Sequence, residues 1–209
     1  MKGFYGGAHK LLAPLARLIF NIKVEGLENE PTAEQGAYLV CANHISAGDP
    51  ICLCAALCHQ QPHFMAKAEL FKIPLLGWLI KALGAYPVNR NGADVSSIKN
   101  TINLLKNGKC VGMFPQGTRC SNQNPAQTAV KSGAGMIAVR SQVQVLPIFI
   151  RTKNFKRTWF GRKTIIIGKP IPYENIKKMH DDQVEYSKIS KYIFDEICAL
   201  DNYINGDKK

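Results

Sequence analysis

The sequence predicts an α/β fold. It reads as a single domain with a mixed, mostly parallel sheet flanked by helices, led by an N-terminal amphipathic helical segment suited to a membrane surface. Three observations predict this. Short apolar runs fit for buried strands alternate with stretches of helical periodicity, the pattern of a sheet covered on both faces. Polar turns rich in glycine and proline follow several of those runs. The 209 residues are 46% apolar and 20% charged, an ordinary composition for one globular domain. A compact chain of this size buries roughly 70% of the surface its unfolded form exposes, enough to build a core without metal or disulfide help.

The elements follow in order. Residues 9–22 place Leu11, Leu12, Leu15, Leu18, Ile19 and Ile22 at helical spacings, with Pro14 interrupting and Lys2, Lys10, Arg17 and Lys23 as basic flanks. Such a helix either lies in a membrane interface or packs on its own domain, and the periodicity fits both. The chain therefore divides into residues 1–24, the amphipathic segment, and residues 25–209, the domain proper. Ala37 to Ala42 is an apolar run fit for a buried strand. Pro50 to Leu57 reads as helix, with Asp49 as its cap and Pro50 at the first helical position. His63 to Ala66 is a strand candidate, Leu75 to Leu83 a helix, and Tyr86 to Val88 a short strand. Val95, Ile98, Ile102 and Leu105 mark a helix closed by Gly108 as a left-handed stop. Val111 to Phe114 is a strand. Val130 to Arg140 is helical, although Gly133 and Gly135 weaken the pattern. Val143 to Ile150 and Thr164 to Ile167 are strands. A last helix spans about residues 183–203, with Ile189, Ile193, Ile197 and Leu200 on one face.

Charge narrows the partners. Lys and Arg number 27 against 15 Asp and Glu, a net +12. That field attracts phosphates, whether on nucleic acid, anionic lipid headgroups, coenzyme A or an acidic carrier protein. No recognised nucleic-acid reader motif is found, so nucleic acid is not an expected partner. The seven cysteines are odd in number, and several sit inside apolar runs. They read as reduced thiols packed as small apolar groups. Cys52, Cys54 and Cys58 lie near His59 and His63, but no second pair completes a tetrahedral set. They read as packed helix residues, with Cys54 and Cys58 on one face, and neither metal nor cofactor is expected. The amino terminus is not a secretory signal, because Lys10, Pro14 and Arg17 interrupt its apolar stretch. Nowhere do about 20 apolar residues run together as a membrane span requires.

Three stretches carry candidate chemistry. In Asn43-His44-Ile45-Ser46-Ala47-Gly48-Asp49-Pro50 an apolar strand runs through a polar turn into a helix, the place where active sites of α/β sheets form. Histidine titrates nearest neutrality of all side chains and so suits a general base. Asp49, five residues on, is placed to fold back, accept from Nδ1–H of His44 and leave Nε2 free as base. Read structurally, Asp49 merely caps the helix. In Phe114-Pro115-Gln116-Gly117-Thr118-Arg119, Gly117 lets the backbone approach a ligand closely. Thr118 and Arg119 offer a hydroxyl and a planar fork of donors suited to phosphate oxygens. The third stretch, Gly84 to Arg90, ends in a cation at another strand end. Lys67 stands in a comparable place, and Lys131 lies early in the helix after residue 129. Each cation alone is as consistent with a solvated charge as with a ligand.

Taken together and in this order, these blocks resemble the 1-acylglycerol-3-phosphate acyltransferase family, the bacterial lysophosphatidic acid acyltransferases. The family's hallmark His, four residues, Asp is matched by His44 and Asp49. Its second block ends in an Arg matched by Arg90, its third is typically FPEGTRS where FPQGTRC stands here, and its fourth is an apolar run matched by Val145-Leu146-Pro147-Ile148. The resemblance covers roughly residues 20–175. It implies a glycerolipid acyltransferase domain over residues 25–209 and transfer of a fatty acyl group from acyl-CoA or acyl carrier protein to the sn-2 hydroxyl of lysophosphatidic acid. It implies His44 and Asp49 as catalytic residues, and Arg90, Gly117, Thr118, Arg119 and Lys131 as substrate-binding ones. A membrane surface is the expected partner and the cytoplasmic face of the cell membrane the expected place, with peripheral or monotopic attachment. A related lysolipid or glycerol 3-phosphate acyltransferase, or a catalytically silent lipid-binding relative, stays open. Two residues depart from the pattern: Gln116 replaces the usual Glu and Cys120 a common Ser.

Overall fold

The computed structural model describes residues 3–88 and 95–206. Helix α1 (Gly3–Ile19) precedes an edge strand β1 (Ile22–Glu25). Next come β2 (Tyr38–Ala42), α2 (Asp49–Ala56), β3 (Pro62–Lys67), α3 (Leu76–Ala82) and β4 (Tyr86–Val88). Then follow α4 (Val95–Lys106), β5 (Cys110–Met113), α5 (Gly133–Ser141), β6 (Gln144–Thr152), β7 (Lys163–Ile167), α6 (Tyr173–Asp181) and α7 (Tyr186–Gly206). The strands form one seven-stranded sheet in the order β1-β7-β6-β2-β5-β3-β4. Every neighbouring pair is parallel except the β6–β7 hairpin. β2, β3, β4, β5 and β6 thus run one way and end at one edge of the sheet. β1 and β7 run the other way and begin at that same edge.

Strand alternation sends successive side chains to opposite faces, and two cores result. On one face Leu39, Cys41, Val111, Val145 and Phe149 pack against α5 and α7 through Ile137, Ala138, Ile189, Ile193 and Ile197. On the other, Val40, Ala42, Leu146, Ile148 and Ile165 pack against Cys52, Leu53 and Leu57 at α2 and just after it. α1 lies outside α2. The His9 ring Nε2 stands 2.9 Å from the Cys54 carbonyl oxygen, and the Arg17 guanidinium donates to the carbonyls of Ala55 and Ala56.

Four departures from the sequence reading have local causes. Residue 22 belongs to β1 rather than to the first helix, because Asn21 adopts a left-handed φ of 50° and turns the chain into the sheet. α6, absent from the sequence reading, is a nine-residue helix whose brief stripe of Tyr173, Ile176 and Met179 rests on the core with Ile176 its one buried residue. α2 stops at Ala56, so Cys58 and His59 leave the helix. The buried Glu30 carboxylate accepts from their backbone N–H groups, both at 2.8 Å, and from the Tyr38 hydroxyl at 2.9 Å. Ligand atoms of Glu30, Cys58 and His59 lie within 4.8 Å of one another, but the carboxylate is already committed to those donors. α5 begins at Gly133 rather than residue 130, since the Lys131 N–H donates to the Pro115 carbonyl instead of starting a helix.

Gly135 shows why glycine stands in a helix. A Cβ there would collide with the Tyr186 carbonyl oxygen and sit 2.9 Å from the Ser190 amide nitrogen, and the Gly135 N–H donates to Ser190 Oγ at 2.8 Å. α5 and α7 meet backbone to backbone. Gly135→Ala forces them apart and is expected to cost about 1–3 kcal/mol, the usual penalty of overpacking. Urea unfolding followed by circular dichroism measures it; an unchanged midpoint would contradict the close approach.

Candidate active site

The site begins where β2 ends. Asn43 is fully buried and exchanges two bonds with the backbone of Ile150 in β6. Its Nδ2 donates to the carbonyl at 3.0 Å, and its Oδ1 accepts the N–H at 2.6 Å. This side-chain rung extends the β2–β6 ladder by one residue and sets where the next residue, His44, leaves the sheet.

The turn from His44 to Asp49 closes on one oxygen. Asp49 Oδ2 stands 2.8 Å from His44 Nδ1 and accepts the backbone N–H groups of Ile45 at 2.6 Å and Ser46 at 2.8 Å. The Asp49 side chain is 2% exposed and that of His44 13%. These three contacts fill the lone pairs of a buried oxygen, and the place of Asp49 in the first turn of α2 sets it at the favourable end of the helix dipole. Asp49 is not the helix cap. Gly48 occupies that position without a side-chain bond, because the aspartate turns backward to hold the preceding turn. With Nδ1 directed at the carboxylate, Nε2 is the ring nitrogen left facing away from Asp49. The ring lies flat on Phe114, with centroids 3.9 Å apart and planes 12° from parallel. Phe114 in turn stacks on Phe64 at 6.0 Å.

The loop after β5 comes alongside because β5 pairs in parallel with β2. It is stitched to His44 on both sides of the residue. The His44 N–H donates to Gln116 Oε1 at 2.7 Å, and the His44 carbonyl accepts the Cys120 N–H at 2.8 Å. Gln116 is 2% exposed. Its Nε2 donates to Thr128 Oγ1, whose own hydrogen goes to the Pro125 carbonyl, each at 2.7 Å. Gln116 is thus a buried tie rather than an exposed ligand. Gly117 has φ +68°, and a Cβ there would lie 3.2 Å from Lys131 Cδ, so glycine is required both by conformation and by the lysine stem. The structure brings His44, Asp49, Gly117, Thr118, Arg119 and Lys131 to one edge of the sheet, the last four exposed. Lys67 ends β3 at that edge and is exposed. Arg90 lies outside the described residues.

Sequence reading assigned no role to Asn43 or Phe114, because both act through residues far away in the chain. It also passed over residues 153–163, where aromatic and basic residues alternate. There Lys163 is 4% exposed, and its ammonium donates to the carbonyls of Trp159 at 2.8 Å and of Phe20 and Gly161 at 3.3 Å. Burial holds its pKa below the usual amine value.

Known proteins resemble this chain in sequence and in fold. The family model described as Acyltransferase matches residues 21–151, a span that contains every candidate site residue. The chain is 35% identical to the 1-acyl-sn-glycerol-3-phosphate acyltransferase of Streptococcus pneumoniae over 82% of this chain and 64% of that relative. It is 37% identical to the Bacillus subtilis protein of the same name over 72% of this chain and 73% of that relative. Among solved structures, the 1-acyl-sn-glycerophosphate (LPA) acyltransferase PlsC from Thermotoga maritima superposes with a TM-score of 0.63 at 26% identity, covering 94% of this chain and 84% of that one.

Asn43→Ala removes the rung and leaves the N–H and carbonyl of Ile150 unpartnered inside the protein. Stability is expected to fall by about 1–3 kcal/mol, the cost of buried polar groups without partners. Chemical unfolding of the purified variant beside wild type checks this.

Proposed function

The chain belongs to the acyltransferase family, and from that premise we propose that it is a 1-acyl-sn-glycerol-3-phosphate acyltransferase. It moves a fatty acyl group from an acyl thioester, acyl-CoA or acyl carrier protein, to the sn-2 hydroxyl of lysophosphatidic acid and yields phosphatidic acid. The observation that carries this reading is the 2.8 Å contact between His44 Nδ1 and Asp49 Oδ2, beside a loop that offers Thr118 and Arg119. The names of the two bacterial relatives supply the acceptor.

In this reading Arg119, Lys131 and Arg90 hold the acceptor's phosphate, with Gly117 and Thr118 shaping the loop around it. Fixing the phosphate places the free hydroxyl at His44 Nε2, and such positioning supplies much of the rate. His44 takes the hydroxyl proton as the oxygen attacks the thioester carbonyl, and Asp49 stabilises the imidazolium. The tetrahedral adduct collapses, the carbon–sulfur bond breaks, and the imidazolium returns the proton to the leaving sulfur. Transfer is direct. Ser46 is 5% exposed, and its Oγ accepts from the Gly48 N–H, which supports a structural rather than a nucleophilic role for that serine.

Residues 1–24 form the membrane-associating segment, with Ile22 to Val24 doubling as the start of an edge strand. Residues 25–209 carry the chemistry. Leu11, Leu12, Leu15, Leu18 and Ile19 are exposed on α1 while Ala13 is buried, and the chain carries +12. These features support peripheral or monotopic attachment at the cytoplasmic face of the cell membrane, where the lysolipid resides. Among the described residues no helix is long and apolar enough to cross a membrane.

Purified protein in detergent with lysophosphatidic acid and each thioester donor, followed by mass analysis of the lipid, tests the reading. His44→Ala is expected to lower turnover by about 10²–10⁴, the usual worth of a general base. Equal product from wild type and variant would end the catalytic reading, and no product from wild type would favour a silent lipid-binding relative. Arg119→Ala is expected to raise KM for lysophosphatidic acid more than it lowers kcat. A trapped acyl adduct on the protein would refute direct transfer.

A further inference from the structure

We infer that the β6–β7 loop, residues 153–162, is a second membrane-contact element that seats the His44 turn against an anionic bilayer. The inference rests on the peripheral attachment proposed above and assigns it a place on the molecule separate from α1. The loop reads Lys-Asn-Phe-Lys-Arg-Thr-Trp-Phe-Gly-Arg and contains no acidic residue. Lys153, Lys156, Arg157 and Arg162 are exposed. Trp159 is 54% and Phe160 70% exposed. Adjacent exposed aromatics ringed by cations match the chemistry of a lipid interface: amphipathic rings settle at headgroup level while basic side chains meet lipid phosphates.

The aromatic pair is held out by a fastened backbone. All three carbonyls gathered by the Lys163 ammonium, those of Trp159, Gly161 and Phe20, belong to this loop and to the turn that follows α1. The Gly161 N–H donates to Thr158 Oγ1 at 2.7 Å, Thr152 Oγ1 donates to the Lys156 carbonyl at 2.9 Å, and the Asn122 N–H donates to the Phe155 carbonyl at 2.9 Å. On one side the Phe160 ring lies parallel to that of Phe20, with centroids 6.4 Å apart, next to the exposed Leu18 and Ile19 of α1. On the other side Trp159 reaches to 3.7 Å from where a Cβ of Gly48 would stand, inside the His44–Asp49 turn. The exposed apolar surface therefore runs from α1 through the loop to the candidate catalytic turn. A groove of about 590 Å³ opens beside it, lined by Arg17, Leu18, Asn21, Ile22, Lys23 and Arg162. Arg17 is bonded to the carbonyls of Ala55 and Ala56 and Lys23 is paired with Glu25, so Arg162 is the cation of the groove best placed for a headgroup. The aliphatic half of this surface favours a bilayer over nucleic acid or an acidic carrier protein, neither of which calls for exposed leucine and isoleucine.

The chain has two tryptophans, so Trp78→Phe leaves Trp159 as the single indole reporter. Mixed with phosphatidylglycerol-containing vesicles, this variant is expected to show a blue-shifted emission that lipids brominated near the headgroup quench, and a weaker change with pure phosphatidylcholine. The double variant Arg157→Ser/Phe160→Ala is expected to bind the anionic vesicles at least tenfold more weakly and to raise KM for lysophosphatidic acid presented in vesicles, with turnover in detergent micelles unchanged. Binding to vesicles with Trp159 emission unshifted and the double variant unaffected would overturn the inference while leaving peripheral attachment standing. Failure of wild type to bind any vesicle would overturn both. Duplex DNA shifting Trp159 where brominated lipid does not quench it would mark a general polyanion site and overturn the inference. Loss of acyltransfer in detergent, with vesicle contact intact, would overturn the activity alone.

Discussion

One carboxylate oxygen organises the candidate catalytic turn. Asp49 Oδ2 faces the imidazole and accepts two consecutive backbone N–H groups from the residues that follow it. Burying an ionised carboxylate is costly unless its lone pairs are filled, and here filling them folds the turn. The same three contacts orient the ring and direct Nε2 away from the aspartate. Geometry and electrostatics are therefore not separable at this site: the arrangement that makes the charge tolerable is the arrangement that positions the base.

The turn is only half of the site, and the sheet supplies the other half. Parallel pairing of β2 with β5 makes the two strands end together, so the loops that follow them are neighbours by construction. Gln116 and Cys120 then fasten one loop to the other through the N–H and the carbonyl of His44. The amide at residue 116 both accepts and donates. A carboxylate, the residue usual in the family this sequence resembles, accepts only. It would need the Thr128 hydroxyl to turn away from the Pro125 carbonyl, and it would place a second buried negative charge near Asp49. The substitution is thus accommodated by the local hydrogen-bond polarity and leaves the histidine–aspartate contact intact.

Two apolar features border the same edge of the sheet. α1 ends there because β1 runs opposite to β2, and the β6–β7 hairpin turns there because β6 runs with β2. Strand direction alone brings an exposed row of leucines, an exposed Trp-Phe pair and the His44 turn to one side of the molecule. For the proposed reaction, whose acceptor is itself a membrane amphiphile, that is the useful side to share.

The sequence by itself determined the strands buried on both faces, the strongly periodic helices, and the pairing of His44 with Asp49. The pairing lies within one turn, and a spacing of five residues suffices to close it. It also marked Gly117, Thr118 and Arg119 in the loop after a strand, and Lys131 as a further cation. Only the tertiary structure decided what lies between them. Asn43 meets Ile150 across 107 residues, Gln116 meets His44 across 72, and Lys163 gathers the Phe20 carbonyl across 143. Periodicity reports which side of an element is buried, not which distant backbone group a buried amide or ammonium will find. The same limit hid β1, a half-buried edge strand. Elements that contribute little to a core leave little hydrophobic pattern to read, and their places are settled by the neighbours that pair with them.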